Sequence, residues 1–125
     1  MQMDFQSERP LFVQVAEALE EAVFVGAFEE EAQVPSTTEI SARYRINPAT
    51  VLKGMNILVE QGVLYKKRGL GMYVCEGAVE KIRQRRQDAF FERYVLALVE
   101  EAKKLRMTKG ELIALLERGM DREQD

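Results

Sequence analysis

Apolar positions recur at helical spacing in five stretches of this chain and alternate as short strands in one. Leu11, Val15, Leu19, Ala22 and Val23 fall three and four residues apart and predict a helix over about 11–25, with Pro10 at its start and Gly26 as its stop. Glu17, Glu20 and Glu21 take the opposite, solvent-facing side. The segment 27–35 reads as a turn with a two-residue strand at Gln33 and Val34. Ser36 and Glu39 have capping-box spacing and open a short helix, about 37–44, with Ile40 and Tyr44 on one side. After a turn at 45–47, Asn47 as N-cap and Pro48 at the first helical position start another helix, which ends near residue 61, before Gly62. Its stripe of Val51, Met55, Leu58 and Val59 predicts the buried face. Residues 63–67 and 72–75 read as two strands joined by a glycine turn at 68–71.

Beyond Gly77 the period is again helical, over about 79–105, through Ile82, Phe90, Phe91, Tyr94, Val95, Leu98, Val99, Ala102 and Leu105. Such a helix would be about 40 Å long at 1.5 Å per residue. Met107 and Thr108 break it, and Thr108 with Glu111 repeat the capping-box spacing ahead of a last helix over about 109–119. The polar lead 1–9 and the tail 121–125 are expected to be loose and frayed.

Short helix, tight turn, second helix and small hairpin together predict a mostly α (α+β) fold. A winged helix-turn-helix domain over 1–76 is followed by a two-helix C-terminal element over 77–125. Two helices cannot bury so much apolar surface between themselves, so Phe90, Phe91, Tyr94, Leu98, Leu112, Leu115 and Leu116 are expected to form the interface of a homodimer. A small-molecule effector seated between these helices is the alternative use of the same aromatic residues. Plain dimer core is the simpler reading.

Composition narrows the chemistry. The chain has one cysteine, Cys75, and no histidine, which excludes an internal disulfide, a Cys/His zinc site and the commonest general base. The acidic residues sit at helical surface spacings with no glycine-rich loop beside them, so no catalytic residue, cofactor or metal is expected. No apolar run approaches the roughly 20 residues that span a bilayer, and the N-terminus lacks a basic region followed by an apolar core. A cytoplasmic protein is expected, with no membrane partner.

A net charge of −3 argues at first against nucleic acid. Its distribution reverses that reading. Residues 1–39 carry one basic and nine acidic groups, residues 40–75 carry six basic and one acidic, and residues 76–125 balance at eleven each. The basic charge is concentrated where the helix-turn-helix lies, as double-stranded DNA requires. The acidic face of the first helix would repel a duplex, which places that helix away from it. A winged helix that binds protein instead of DNA would not need the basic segment.

The residues expected at the DNA follow from that placement. Asn47, Ala49, Thr50 and Lys53 occupy the first turns of the recognition helix, the part that meets base edges, although Asn47 also serves as a cap. Ser36, Thr37 and Thr38 at the start of the preceding helix, with Arg43 and Arg45 at the turn, are candidate phosphate contacts. Lys66, Lys67 and Arg68 lie on or beside the wing, where Gly69 and Gly71 serve the turn and let backbone N–H groups approach phosphate. Lys81, Arg83, Arg85 and Arg86 read as a solvated helix face, and Cys75 as a small apolar residue at a strand end.

Three segments, PLFVQVAEALEEAVFVGAF, VPSTTEISARYRINPATVLKGMNILVEQGVL and KKRGLGMYV, resemble the N-terminal winged-helix domain of the GntR family of bacterial transcription regulators over about residues 10–75. The NPATV form, with some fifty residues after the wing, is similar to the YtrA-like subfamily. That resemblance implies a cytoplasmic homodimeric repressor acting on a palindromic operator, often of ABC-type transporter genes. Relatives with larger effector domains are longer, so it leaves an effector open. The sequence departs from the family where arginine usually follows the Pro-Ser pair. Thr37 and Thr38 stand there, and Pro48 and Leu52 occupy positions of the third helix that are arginine in many members. Lys53 is placed as in the YtrA-like forms. Fewer charges imply a modest affinity.

Overall fold

A computed structural model describes residues 3–122 of the chain, in the order α1 (Leu11–Phe24), α2 (Thr37–Tyr44), α3 (Pro48–Glu60), β1 (Leu64–Lys67), β2 (Gly71–Val74), α4 (Ala78–Phe90), a π-helical stretch (Phe91–Val95), α5 (Leu96–Lys104) and α6 (Lys109–Arg122). The chain separates into two compact units, Met1–Arg85 and Arg86–Asp125. The break falls inside α4, past the sequence boundary at 76/77, because Ala78 and Ile82 are buried in the core of the first unit.

In that unit α1 presents Val15, Leu19 and Val23 to Val51, Met55 and Leu58 of α3, and Ile40, Leu64, Met72 and Val74 close the remaining sides. α1 and α3 pack tightly at Gly54, where an added Cβ would stand 2.7 Å from the Phe12 carbonyl oxygen. Pro10 takes the N-cap position one residue before the helix proper, with ψ 141, where its missing N–H leaves no helical bond unmade. Ser36 and Glu39 close the expected capping box: Ser36 Oγ accepts from Glu39 N at 3.0 Å and Glu39 Oε1 accepts from Ser36 N at 3.2 Å. Arg45 adopts φ 55 to end α2, and Ser41 Oγ donates to the Ile46 carbonyl at 2.6 Å, fixing the turn into α3.

The wing pairs Leu64 with Val74, Tyr65 with Tyr73, Lys66 with Met72 and Lys67 with Gly71. The expected strand at Gln33 and Val34 is reduced to a single bridge between Gln33 and Tyr73. Backbone bonds from Val34 N to Met72 O and from Val74 N to Ala32 O, each 3.0 Å, nevertheless tie this segment to β2. The wing is therefore held on the side of β2 as well as by β1.

Two expectations about charged faces are corrected. Glu20 does not simply face solvent: Arg85 reaches it at 3.2 Å, and both side chains are partly shielded. Arg85 accordingly belongs to the packing of α4 on α1 and not to a solvated face, whereas Arg83 stays exposed and pairs with Glu80 of its own helix. A third link comes from Glu30, whose carboxylate accepts from Gly77 N at 2.7 Å and Val79 N at 3.1 Å and so caps the start of α4. Those two bonds, Gly77 first, lower the Glu30 pKa.

In the second unit the helix expected over 79–105 is interrupted by the π-helical residues Phe91–Val95, where Phe90 and Tyr94 rings lie 5.4 Å apart. Thr108 and Glu111 form the second capping box, with Glu111 N donating to Thr108 Oγ1 at 3.1 Å and Thr108 N to Glu111 Oε1 at 2.9 Å. α6 runs on to Arg122, beyond the expected end. Ala102 is the buried residue of this unit among those described. The last three residues of the tail and the first two of the lead lie outside the described residues.

Candidate nucleic-acid interface

The exposed face of α3 follows from its buried one. With Val51, Gly54, Met55 and Leu58 turned inward, helical geometry places Pro48, Ala49, Leu52, Lys53 and Asn56 on the solvent side, and all five are exposed. Thr50 is half-buried beside them. Asn47 caps the helix, its Oδ1 accepting from Ala49 N at 2.8 Å, while the rest of its amide is exposed. The strip is short of charge, with Lys53 as its single cation.

Lys53 does not extend freely into solvent. Its Nζ lies 4.0 Å from the centroid of the Phe12 ring, at the first turn of α1. This contact depends on the bare backbone of Gly54, which lets α1 come close beside Lys53. The sequence does not single out Phe12, because the acidic face of α1 points to a helix away from the duplex. Its role rests on a contact between residues far apart in the chain.

At the start of α2 the predicted residues divide. Ser36 is engaged in its capping box, and Thr37 Oγ1 is turned toward Met55 Sδ at 3.6 Å, inside the α2–α3 contact. Thr38 is exposed and points to no partner among the described hydrogen bonds. Arg43, Arg45, Lys66, Lys67 and Arg68 are all exposed. None of these five, nor Lys53, forms an ion pair among the described residues, where Arg9–Glu17, Arg83–Glu80 and Arg85–Glu20 are examples of pairs that do form. Cations without a carboxylate partner remain available to phosphate.

The wing carries its own braces. Strand alternation puts Tyr65, Lys67 and Tyr73 on one face. Tyr65 and Tyr73 stack with centroids 5.9 Å apart, and Lys67 Nζ sits 4.2 Å from the Tyr73 centroid. Gln33 Nε2 donates to the Leu70 carbonyl at 2.8 Å, pinning the turn from the side. Gly69 and Gly71 have φ of 77 and 98, and a Cβ at Gly71 would also meet Gln33 Nε2 at 2.9 Å. Both glycines therefore serve the turn. Nothing in the sequence marks Gln33 as a brace, whereas the alternation of Tyr65, Lys67 and Tyr73 is an available signal for the aromatic face.

Among the described residues no helix is long and apolar enough to cross a membrane. Comparison with known proteins agrees with the geometry. The family model for bacterial regulatory proteins of the gntR family matches residues 11–74, the span from α1 to the end of the wing. The transcriptional repressor YtrA of Bacillus subtilis is 30% identical over 78 residues, covering 62% of this chain and 60% of that protein. The repressor NagR of the same organism is 29% identical over 84 residues, and the chain spans only 35% of its length. Among solved structures, a GntR-family transcriptional regulator from Bacteroides thetaiotaomicron superposes with a TM-score of 0.73 at 27% identity, covering 90% of this chain and 97% of that one. The DNA-binding domain of AraR, solved in complex with operator ORX1, superposes with a TM-score of 0.56 at 25% identity over 60% of this chain and 96% of that one. These relatives are transcription regulators and not enzymes, and this chain belongs to the gntR family of bacterial regulatory proteins.

Proposed function

We propose that the protein is a homodimeric, sequence-specific repressor that places α3 in the major groove of each half of a palindromic operator, with the wing against the flanking backbone. The observation that carries this reading is that the six cations of residues 40–75 are exposed on the end of α2, the turn, α3 and the wing without a carboxylate partner among the described residues. The complex of the AraR domain with its operator supports the same use of the fold. Base reading falls to Asn47, Ala49, Thr50 and Leu52, and phosphate contact to Thr38, Arg43, Arg45, Lys66, Lys67 and Arg68.

Dimerisation is assigned to the second unit, where Phe90, Phe91, Tyr94 and Leu98 are 55%, 57%, 53% and 40% exposed. Leu115 and Leu116 are exposed as well, and Leu112 partly so. Apolar surface of this extent, beyond the family domain, fits a second copy. A two-fold axis presents two recognition helices about 34 Å apart along the duplex. By resemblance to the YtrA-like branch, the regulated genes are proposed to encode a transporter.

The test is selection of duplexes from a randomised library by the full chain, followed by a salt titration of the selected sequence. A palindrome bound with affinity that falls steeply as salt rises is expected. Affinity independent of salt, or unaffected by Arg45→Ala and Arg68→Ala together, would refute DNA recognition by this surface.

A further inference from the structure

Lys53 is an unusual cation for a recognition helix because its ammonium is already held. Its side chain leaves the exposed strip of α3 at the edge next to Gly54, and its Nζ lies 4.0 Å from the centroid of the half-buried Phe12 ring. Phe12 belongs to α1, so its ring draws the ammonium sideways, away from the exposed strip of Pro48, Ala49, Leu52, Lys53 and Asn56. A recognition helix puts the middle of its exposed face against base edges, and the phosphates border the groove on either side. An ammonium drawn toward the first turn of α1 is therefore on the phosphate side.

We propose that Phe12 is a positioning residue that fixes the Lys53 ammonium for a phosphate of the operator, so that Lys53 supplies affinity and not base selection. The proposal rests on the DNA-binding reading above and deepens it. A free lysine loses the rotamer freedom of a four-carbon stem when it binds phosphate; a lysine resting on an aromatic face has lost much of it beforehand. The ring attracts the cation through its negative face and occupies none of the three N–H donors with a lone pair, so those donors stay available to phosphate oxygens. The wing repeats the arrangement with Lys67 on Tyr73.

The experiment measures binding of the full chain to two duplexes of equal length, the one selected from a library by the wild type and a scrambled one, by fluorescence anisotropy across salt. Phe12→Leu keeps an apolar side chain and removes the π face. It is expected to weaken both duplexes equally, by about two- to five-fold, the strength of an exposed cation–π contact, with the salt slope unchanged. Phe12→Tyr restores binding. Lys53→Met also weakens both duplexes equally and lowers the slope by about 0.9 for each phosphate the lysine had neutralised. In the Lys53→Met background Phe12→Leu has no further effect, which a merely structural role for Phe12 would not produce. Loss confined to the selected duplex would make Lys53 a base reader and overturn the proposal. So would a gain in affinity, a loss that persists without Lys53, or failure of tyrosine to restore it. Wild-type binding that ignores salt would instead overturn DNA recognition itself, and is told apart from these outcomes by needing no variant.

Discussion

Substituting Gly54 by alanine is expected to force α1 and α3 apart. Gly54 lies in the interior of α3 and its backbone is helical, so alanine is locally favoured and gains about 1 kcal/mol of helix propensity. Its Cβ, however, would stand 2.7 Å from the Phe12 carbonyl oxygen and 2.9 Å from both Cβ and Cγ1 of Val15. None of these atoms is the end of a flexible side chain. One is backbone in the first turn of α1, and the others belong to a β-branched residue that is fully buried. Relief needs a shift of the whole helix, and overpacking of this kind costs about 1–3 kcal/mol, with a rigid obstacle toward the upper end. The net expectation is a loss of about 2 kcal/mol after subtracting the propensity gain.

Urea unfolding of the full chain followed by circular dichroism reads this directly, as a lower midpoint with unchanged slope. Gly110→Ala in the first turn of α6 is the control, because nothing lies within 4 Å of its added Cβ and it falls on the face away from Leu112, Leu115 and Leu116. A Gly54→Ala protein as stable as wild type, or more so, would show that the helices do not meet at Gly54. The placement of Lys53 over Phe12 would fall with it.

Further outcomes follow from other contacts. Glu30→Gln should lower the unfolding midpoint near neutral pH, since the Glu30 pKa is depressed below 4.5 by the Gly77 and Val79 N–H groups. A depressed carboxylate contributes stability above its unfolded pKa and loses it as pH falls through the folded value, so the difference from wild type should close under acid; a difference constant with pH would refute the cap. Phe90→Glu with Leu98→Glu should give a monomer in sedimentation at micromolar concentration, and an unchanged profile would refute the dimer assignment. Gln33→Ala should leave the unfolding free energy within about 0.5 kcal/mol of wild type while weakening DNA binding through a looser wing turn, and unaltered affinity would refute the brace.

Much of the fold was legible in the sequence because its signals are local. Ser36 with Glu39, Asn47 with Pro48 and Thr108 with Glu111 set helix starts within four residues of chain, and all three act as read. What was not legible depends on contacts between distant residues. Arg85 on Glu20 spans 65 positions, Glu30 on Gly77 spans 47, and Gln33 on Leu70 spans 37. The same holds for the candidate site. The alternation of strands places Lys67 beside Tyr73, but nothing in the period of either helix brings Phe12 to Lys53. The π-helical stretch at Phe91–Val95 also left no mark, because Phe90, Tyr94 and Leu98 keep the spacing of four that an α-helix shares.

The distribution of charge ties these contacts to function. Residues 1–39 hold nine acidic groups, and an acidic surface on α1 would repel a duplex if it lay near the groove. Part of it is answered within the protein, Glu17 by Arg9, Glu20 by Arg85 and Glu30 by the start of α4. The cations used there come from the lead and from α4, and none is taken from residues 40–75. Phe12 achieves the same separation by another means, since an aromatic ring can hold Lys53 without neutralising it, as a carboxylate at that position would. A Phe12→Glu variant therefore distinguishes holding from charge. It would offer the lysine an anionic partner, yet it is expected to weaken DNA binding more than Phe12→Leu and to lower the salt slope, because the carboxylate neutralises the ammonium that phosphate would take. Equal losses for the glutamate and leucine variants would mean that a carboxylate at residue 12 does not compete with phosphate for Lys53, and would refute this reasoning.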